Sequence, residues 1–136
     1  MIGKKQILTG LKTRLSELYS RKSYFLAHET ACPCCNKNDI DPIALTRLNI
    51  AREILGQPIN LNSAFRCKKH NKSLKKSSPT SSHLKGVAFD IRVRDNSYRF
   101  DLIEALIFAG FKRILIYKGF VHADLDQDKP RVLKTK

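Results

Sequence analysis

Three side chains in the second half of the sequence could together bind a metal ion. His83 lies in a serine-rich basic stretch, Asp90 follows seven residues later within an apolar run, and His122 lies near the end of the chain. Two imidazoles and one carboxylate form a donor set that binds Zn²⁺ and leaves a fourth position for water. A metal would also account for the aspartate, because burial of an unpaired carboxylate is costly. Spacing alone leaves open the ordinary interpretation, in which the aspartate is hydrogen-bonded or exposed and the histidines bind no metal.

Two predicted strands carry these residues. The run GVAFDIRVR, residues 86–94, alternates so that Ala88 and Asp90 share one face of a strand. In the last strand His122 shares a face with Phe120 and Asp124, because side chains alternate along a strand. We expect the two strands to lie near the end of a small sheet, where the loop that enters the first strand brings the other histidine to them.

The remaining elements predict an α+β fold. Helices are predicted over residues 5–21, from an Asp41 N-cap to Gly56, and from Asn96 or Ser97 to Gly110. A strand is predicted in PINLNSAF and a hairpin around Lys118 and Gly119. A long basic surface loop is predicted over 66–82, with room for a helical turn within it. We therefore expect one domain over residues 1–136, with a small, mainly antiparallel sheet flanked by helices.

Positive charge is the unusual feature of the composition. The net charge is +14, and the stretch from Arg66 to Lys85 holds seven Lys and Arg residues and no acid. Such a surface attracts polyanions in a salt-dependent way. Nucleic acid, anionic cell-wall polymers, acidic peptides and anionic lipids all satisfy this physics. The basic stretch lacks aromatic residues, which argues against a platform that stacks single-stranded bases.

The chain has no apolar run near the roughly 18 residues of a membrane span. The first residues, MIGKKQILTGLKTRLSELYSRKSYF, contain no apolar core of a secretory signal. We therefore expect synthesis in a cytoplasm, and a separate export route if the substrate lies outside.

The four cysteines are Cys32, Cys34, Cys35 and Cys67. The CPCC run is too tight for two zinc-ribbon knuckles, and an all-thiolate zinc site would need awkward geometry. A disulfide from this run to Cys67, or reduced buried thiols, is the favoured interpretation, with a structural zinc as the alternative.

An ordered set of motifs resembles a known family. The pattern S-x-H-x-x-G-x-A-x-D is formed by Ser81, His83, Gly86, Ala88 and Asp90. FLAHETACPCC, ALTRLNIAREILGQPI and NSAFRCKKHN precede it, and ILIYKGFVHADLD follows. The set resembles the M15 zinc peptidases, the D-alanyl-D-alanine carboxypeptidase and phage endolysin group with the hedgehog-type fold. The resemblance runs from about Phe25 to Asp126 and leaves the first helix and the basic tail outside.

The resemblance implies roles for individual residues. His83, Asp90 and His122 would bind Zn²⁺. Arg66 would bind a substrate carbonyl or carboxylate and stabilise the oxyanion, and its alternative is a surface salt bridge. Ser81 would bind substrate or hold the loop that carries the first ligand.

The general base is where the sequence departs from well-known members. They place an acid three positions before the last histidine ligand, and that position is Gly119 here. Asp124 is the nearest substitute, because two residues along a strand keeps it on the same face. Its alternative role is orientation of His122. Tyr117 could donate a hydrogen bond to substrate, or belong to the core.

The resemblance also implies the substrate, amide bonds in the stem or cross-link peptides of bacterial peptidoglycan. It leaves the carboxypeptidase and endopeptidase types open. A basic monomeric hydrolase without a signal peptide would reach the wall by holin-type release or inside a virion, or would be a chromosomal or prophage wall hydrolase. The alternatives are a non-catalytic zinc-containing wall-binding domain and a basic nucleic-acid-binding module.

Overall fold

A five-stranded sheet organises the part of the chain that the structure describes. The structure is a computed structural model that describes residues 22–136, so the predicted helix over residues 5–21 lies outside the described residues. The strands are β1 Leu61–Ser63, β2 Ala88–Arg92, β3 Arg113–Ile116, β4 Phe120–Asp124 and β5 Val132–Thr135. Their order is β1-β2-β4-β3-β5, with every pair antiparallel except the parallel pair of β3 and β5. The predicted α+β class with a mainly antiparallel sheet is confirmed.

Four helices and one 3₁₀ turn accompany the sheet in the described residues. They are α1 Ala27–Thr30, α2 Pro42–Leu55, α3 Lys68–Ser73, the 3₁₀ turn Ser82–Lys85 and α4 Asn96–Phe108. The Asp41 side chain caps α2 by accepting a hydrogen bond from Ala44 N at 2.9 Å, as predicted. The cap of α4 is one residue earlier than predicted, because Asp95 accepts from Tyr98 N at 2.7 Å. None of the described helices is both long and apolar enough to cross a membrane.

The core lies between the long helices and one face of the sheet. Its largest fully buried apolar side chains are Leu48 of α2, Phe89 and Ile91 of β2, Leu102 and Leu106 of α4, and Val121 of β4. Each contributes about 1.5–3 kcal/mol by leaving water. Since neighbouring residues alternate between faces, the residues between these in β2 and β4 point to the opposite face. In the pairing of these strands Asp90 lies directly opposite His122.

Two segments add detail to the sequence prediction. The basic stretch 66–82 contains α3, which matches the helical turn that the prediction allowed in this loop, and leads into the 3₁₀ turn. The basic tail, which the resemblance left outside, forms β5 beside β3, and Lys136 N donates to Ile116 O at 2.9 Å. Alternation gave no signal for β5, whose side chains are mostly exposed.

Candidate metal centre and active site

The three predicted metal ligands converge on the sheet face opposite the core. The His83 Nε2 atom lies 3.1 Å from Asp90 Oδ2, and the His122 Nδ1 atom lies 2.9 Å from Asp90 Oδ1. One ligand atom from each residue lies within 4.8 Å of the other two, and all three residues are buried. The structure therefore brings together the donor set that the sequence predicted.

The 3₁₀ turn fixes the His83 ring. Ser81 Oγ caps the turn by accepting from His83 N at 3.3 Å, and Gly86 ends it with φ +70°. A side chain at Gly86 would place Cβ 2.1 Å from Asp39 O, so the turn also needs glycine for close approach. The ring Nδ1 lies 2.6 Å from Ala64 O. Because a carbonyl oxygen only accepts, Nδ1 donates this hydrogen bond and leaves Nε2 as the ring nitrogen that could bind a metal.

The buried carboxylate of Asp126 binds two side chains of the same 3₁₀ turn. Ser82 Oγ donates to Asp126 Oδ2 at 2.7 Å, and Lys85 Nζ lies 2.7 Å from Asp126 Oδ1. Burial opposes ionisation of this carboxyl, but the hydrogen bonds from the lysine and the serine lower the pKa of Asp126 to about 2. An ionised Asp126 therefore ties the turn to the residues that follow β4.

The Asp90 carboxylate contacts the guanidinium of Arg66 as well as the two imidazoles. The Arg66 Nη2 atom donates to Asp90 Oδ2 at 3.2 Å. The guanidinium is held from its other side, since Nε donates to Ser63 Oγ at 2.9 Å and Nη1 to Asn71 Oδ1 at 3.4 Å. Burial alone would raise the pKa of the Asp90 carboxyl, but its contacts with the two histidines hold that pKa well below its usual range.

Asp124 lies on the far side of the His122 ring. The His122 Nε2 atom is 2.6 Å from Asp124 Oδ2, while Asp124 Oδ1 accepts from Asp126 N at 3.0 Å. Asp124 is completely buried, and it also lies 3.5 Å from Arg113 Nη1. Burial lowers the pKa of His122, but hydrogen bonds to Asp124 and Asp90 outweigh that effect and raise it.

The chemistry of this donor set fits Zn²⁺. Each histidine uses one ring nitrogen on a protein acceptor, Ala64 O or the Asp124 carboxylate, and turns its other nitrogen toward Asp90. Such outer hydrogen bonds are what metal-binding histidines almost always have, because they fix the tautomer and the ring orientation. The ligand set of two nitrogens and one oxygen leaves a coordination position for water or substrate.

Comparison with known families agrees with this geometry. A family model described as Peptidase M15 matches residues 21–124, which includes all three candidate ligands. The chain belongs to the M15 peptidase family. It is therefore a zinc-dependent metallopeptidase by family. A search of curated proteins found no match.

A basic cleft of about 560 Å³ opens over the candidate metal centre of this M15 peptidase. Its lining includes the cations Arg66, Lys76, Arg113, Lys129 and Lys136. Asp90 is the single acidic residue among the described residues that line it. The cleft is therefore suited to a ligand that carries carboxylates, and Asp124 does not reach into it.

The remaining predicted site residues of the M15 peptidase lie on the cleft wall. Ser81 and Tyr117 both line it. The Ser81 hydroxyl accepts from His83 N and so caps the 3₁₀ turn that carries this histidine. The Tyr117 ring stacks on Phe120 with ring centroids 4.3 Å apart. Burial and the Asp90 charge raise the pKa of Tyr117, so its hydroxyl stays protonated and can donate a hydrogen bond.

Sequence reasoning missed two features of the M15 peptidase site. The Ala64 carbonyl could not be found, because a backbone acceptor has no side-chain signature. Asp126 had a signal, since it continues the alternation that places His122 and Asp124 on one face. Of the two interpretations favoured for the cysteines, the structure agrees with reduced thiols and not with a disulfide: all four are free, Cys32 is buried, Cys67 is half-buried, and Cys34 and Cys35 are exposed.

Proposed function

We propose that this M15 peptidase hydrolyses amide bonds in the stem or cross-link peptides of bacterial peptidoglycan. The observation that carries the proposal is the basic cleft directly over the candidate metal centre. Peptidoglycan peptides are short and rich in carboxylates, and cell walls also contain anionic polymers. A cleft with five lining cations and one liganding acid attracts such a substrate and orients it by its charged groups.

His83, Asp90 and His122 would hold the ion. When bound, Zn²⁺ supplies a Lewis acid for the scissile carbonyl and lowers the pKa of its water to about 7. The protein holds both imidazoles in the required tautomers through Ala64 O and Asp124. These contacts fix both rings before substrate arrives, which is the advantage of a preorganised site.

Arg66 is the proposed electrophilic group of the chain itself. Three side-chain hydrogen bonds fix its guanidinium beside Asp90 at the floor of the cleft. A substrate carbonyl oxygen that gains negative charge next to this floor would accept a hydrogen bond from it. Loss of one such donor typically costs about 100- to 1,000-fold in rate.

Two roles for Asp124 were predicted from the sequence, and the geometry favours orientation of His122 over action as general base. Its carboxylate is completely buried and contacts the imidazole at 2.6 Å. A general base must lie within hydrogen-bond reach of the attacking water. Tyr117, with its protonated hydroxyl on the cleft wall, is the proposed donor to bound substrate.

The proposal includes the place of action. A basic monomeric wall hydrolase made in the bacterial cytoplasm would act on the wall after holin-type release or as a virion component. The carboxypeptidase and endopeptidase types differ in their products, so the same experiment separates them.

The test is mass spectrometry of soluble fragments released from purified peptidoglycan. We expect new amino termini with zinc, none with a chelator, and none with His83→Ala. The matched control is His28→Ala, since His28 is exposed and lies outside the cleft. Single amino acids among the products would indicate a carboxypeptidase, and longer peptides an endopeptidase.

Two results would refute the proposal in different ways. Bound zinc and tight wall binding without fragment release would indicate the non-catalytic wall-binding domain. Salt-sensitive binding to DNA or RNA that survives His83→Ala, with no wall cleavage, would indicate the nucleic-acid-binding module.

A further inference from the structure

A second group of metal-binding side chains lies outside the catalytic cleft. The sulfurs of Cys32, Cys34, Cys35 and Cys67 all lie within 4.8 Å of one another, and none of these residues lines the cleft. Among the described residues, this group and the histidine site are the two that could hold a metal ion. We propose that the four cysteines, the CPCC cluster with Cys67, bind a structural Zn²⁺ as thiolates.

The distances between the sulfurs agree with one tetrahedral ion. A Zn–S bond of about 2.3 Å places the sulfurs of a tetrahedral site about 3.8 Å apart. The Cys32 and Cys34 sulfurs are 3.6 Å apart, and those of Cys34 and Cys67 are 3.3 Å apart. Disulfide-bonded sulfurs would be about 2.05 Å apart. One disulfide would also leave two thiols of the group unused, whereas one zinc ion uses all four.

A tight turn projects three of the four sulfurs to one side. Cys32 N donates to Lys37 O at 2.8 Å, and Asn36 N donates to Cys32 O at 2.8 Å. Asn36 closes the turn in the left-handed region with φ 61°, which asparagine tolerates better than most residues. The spacing of Cys32 and Cys35 is the C-x₂-C spacing typical of structural zinc sites. This turn resolves the geometric objection that the sequence raised.

Backbone N–H groups point at the sulfurs as they would at thiolates. Cys67 N donates to Cys32 Sγ at 3.4 Å, and His70 N donates to Cys67 Sγ at 3.3 Å. Donors aimed at sulfur favour the charged form that binds metal.

The position of the cluster gives the ion a structural purpose. It would join the turn that follows α1 to the segment just before α3, which contains Ala64 and Arg66. Phe65 N donates to Thr30 O at 3.1 Å, so the two segments are already adjacent. Ala64 O fixes the His83 ring, and Arg66 contacts Asp90. A zinc ion bound by the four thiolates would therefore stabilise the segment that positions Ala64 O and Arg66 in the active site.

The test is metal analysis of protein purified with reductant, combined with cobalt substitution. We expect one zinc at each of the two groups, so two per wild-type chain, and one in Cys34→Ser. Cobalt(II) bound by thiolates gives an intense near-ultraviolet charge-transfer band that imidazole and carboxylate ligands do not give. We expect this band in the wild type and in His83→Ala, and its loss in Cys34→Ser.

Circular dichroism of Cys34→Ser shows whether that variant folds, and Cys35→Ser provides a second variant. The cobalt spectrum of the wild type tests the proposal without relying on any variant. Absence of the charge-transfer band in reduced, cobalt-loaded wild type would overturn the proposal. So would iron at the cluster in place of zinc, or equal reactivity of the thiols with a disulfide reagent in metal-loaded and metal-free protein.

This test is independent of the proposed peptidase activity. An inactive protein that shows the thiolate band keeps the second site and loses the proposed function. An active protein with a single zinc and no thiolate band keeps the function and loses the second site.

Discussion

Replacement of Asp124 by Asn separates the two roles predicted for this residue. The wild-type carboxylate accepts from Asp126 N through Oδ1 and contacts His122 Nε2 through Oδ2. If the new side chain keeps its oxygen on Asp126 N, its NH₂ group faces the imidazole and moves the ring proton to Nδ1. That nitrogen faces Asp90, so a proton would occupy the position of the metal bond. The opposite amide orientation leaves two buried donors facing each other.

Both orientations weaken metal binding by the histidine site. Loss of an outer hydrogen-bond partner typically lowers metal affinity or activity about 10- to 100-fold. A factor of this size corresponds to about 1.4–2.7 kcal/mol. A role as general base makes a different prediction, because loss of a base lowers the turnover rate about 100- to 10,000-fold without weakening the metal.

The assay measures zinc affinity by competition with a chromophoric chelator and fragment release at saturating zinc. If Asp124 orients His122, Asp124→Asn binds zinc more weakly and regains most of its activity when zinc is in excess. The control is Asp101→Asn, an exposed acid on α4, which should change neither quantity. Unchanged zinc affinity with activity lost at every zinc concentration would refute the orienting role and restore the general base.

Three further predictions follow from the geometry. The raised pKa of His122 stabilises the metal-free fold below the unfolded pKa near 6.5, and this contribution is lost as pH rises through the folded pKa. Zinc must displace that proton, so zinc affinity and zinc-induced thermal stabilisation should increase from about pH 6 to 8, and a flat profile would contradict this. Gly86→Ala should lower the free energy of unfolding by about 3 kcal/mol, because Cβ would meet Asp39 O at 2.1 Å and φ is positive. Gly56→Ala has a similar φ and no atom within 4 Å of the added Cβ, so it should lower the free energy of unfolding by only about 1 kcal/mol. Denaturant titration of both variants checks these two values. Arg66→Lys should lower the turnover rate about 100-fold with zinc content unchanged, because a compact ammonium lacks the planar fork that reaches Ser63, Asn71 and Asp90 at once. Steady-state kinetics with metal analysis checks this.

The sequence predicted those parts of the site that follow from alternation along strands. Asp90 and His122 could be placed on one sheet face because their neighbours Phe89, Ile91 and Val121 required the core. The helix after Asp41 was predictable from its cap, its proline and the glycine that ends it. These are local rules, and they needed no knowledge of which strands pair.

The remainder depends on contacts that local patterns do not encode. β5 is held by backbone pairing with β3, and its side chains are mostly exposed. Its sequence therefore does not need the alternation of apolar and polar residues that marks a strand. The helix α3 is six residues long and buries only Asn71, which gives no helical stripe. The cysteine cluster depends on a turn closed by Asn36 and on the approach of Cys67 from a segment distant in sequence. In each case the deciding interaction is tertiary or involves the backbone.

The direct pairing of Asp90 with His122 has a consequence for folding. A shift of one residue between β2 and β4 would turn one of the two side chains toward the core and separate the ligands. The free energy of zinc binding is therefore available only to the native register and not to slipped pairings. Zinc present while the chain folds would therefore favour the native alignment of β2 and β4, so the same ion would serve both the site and the folding of the sheet.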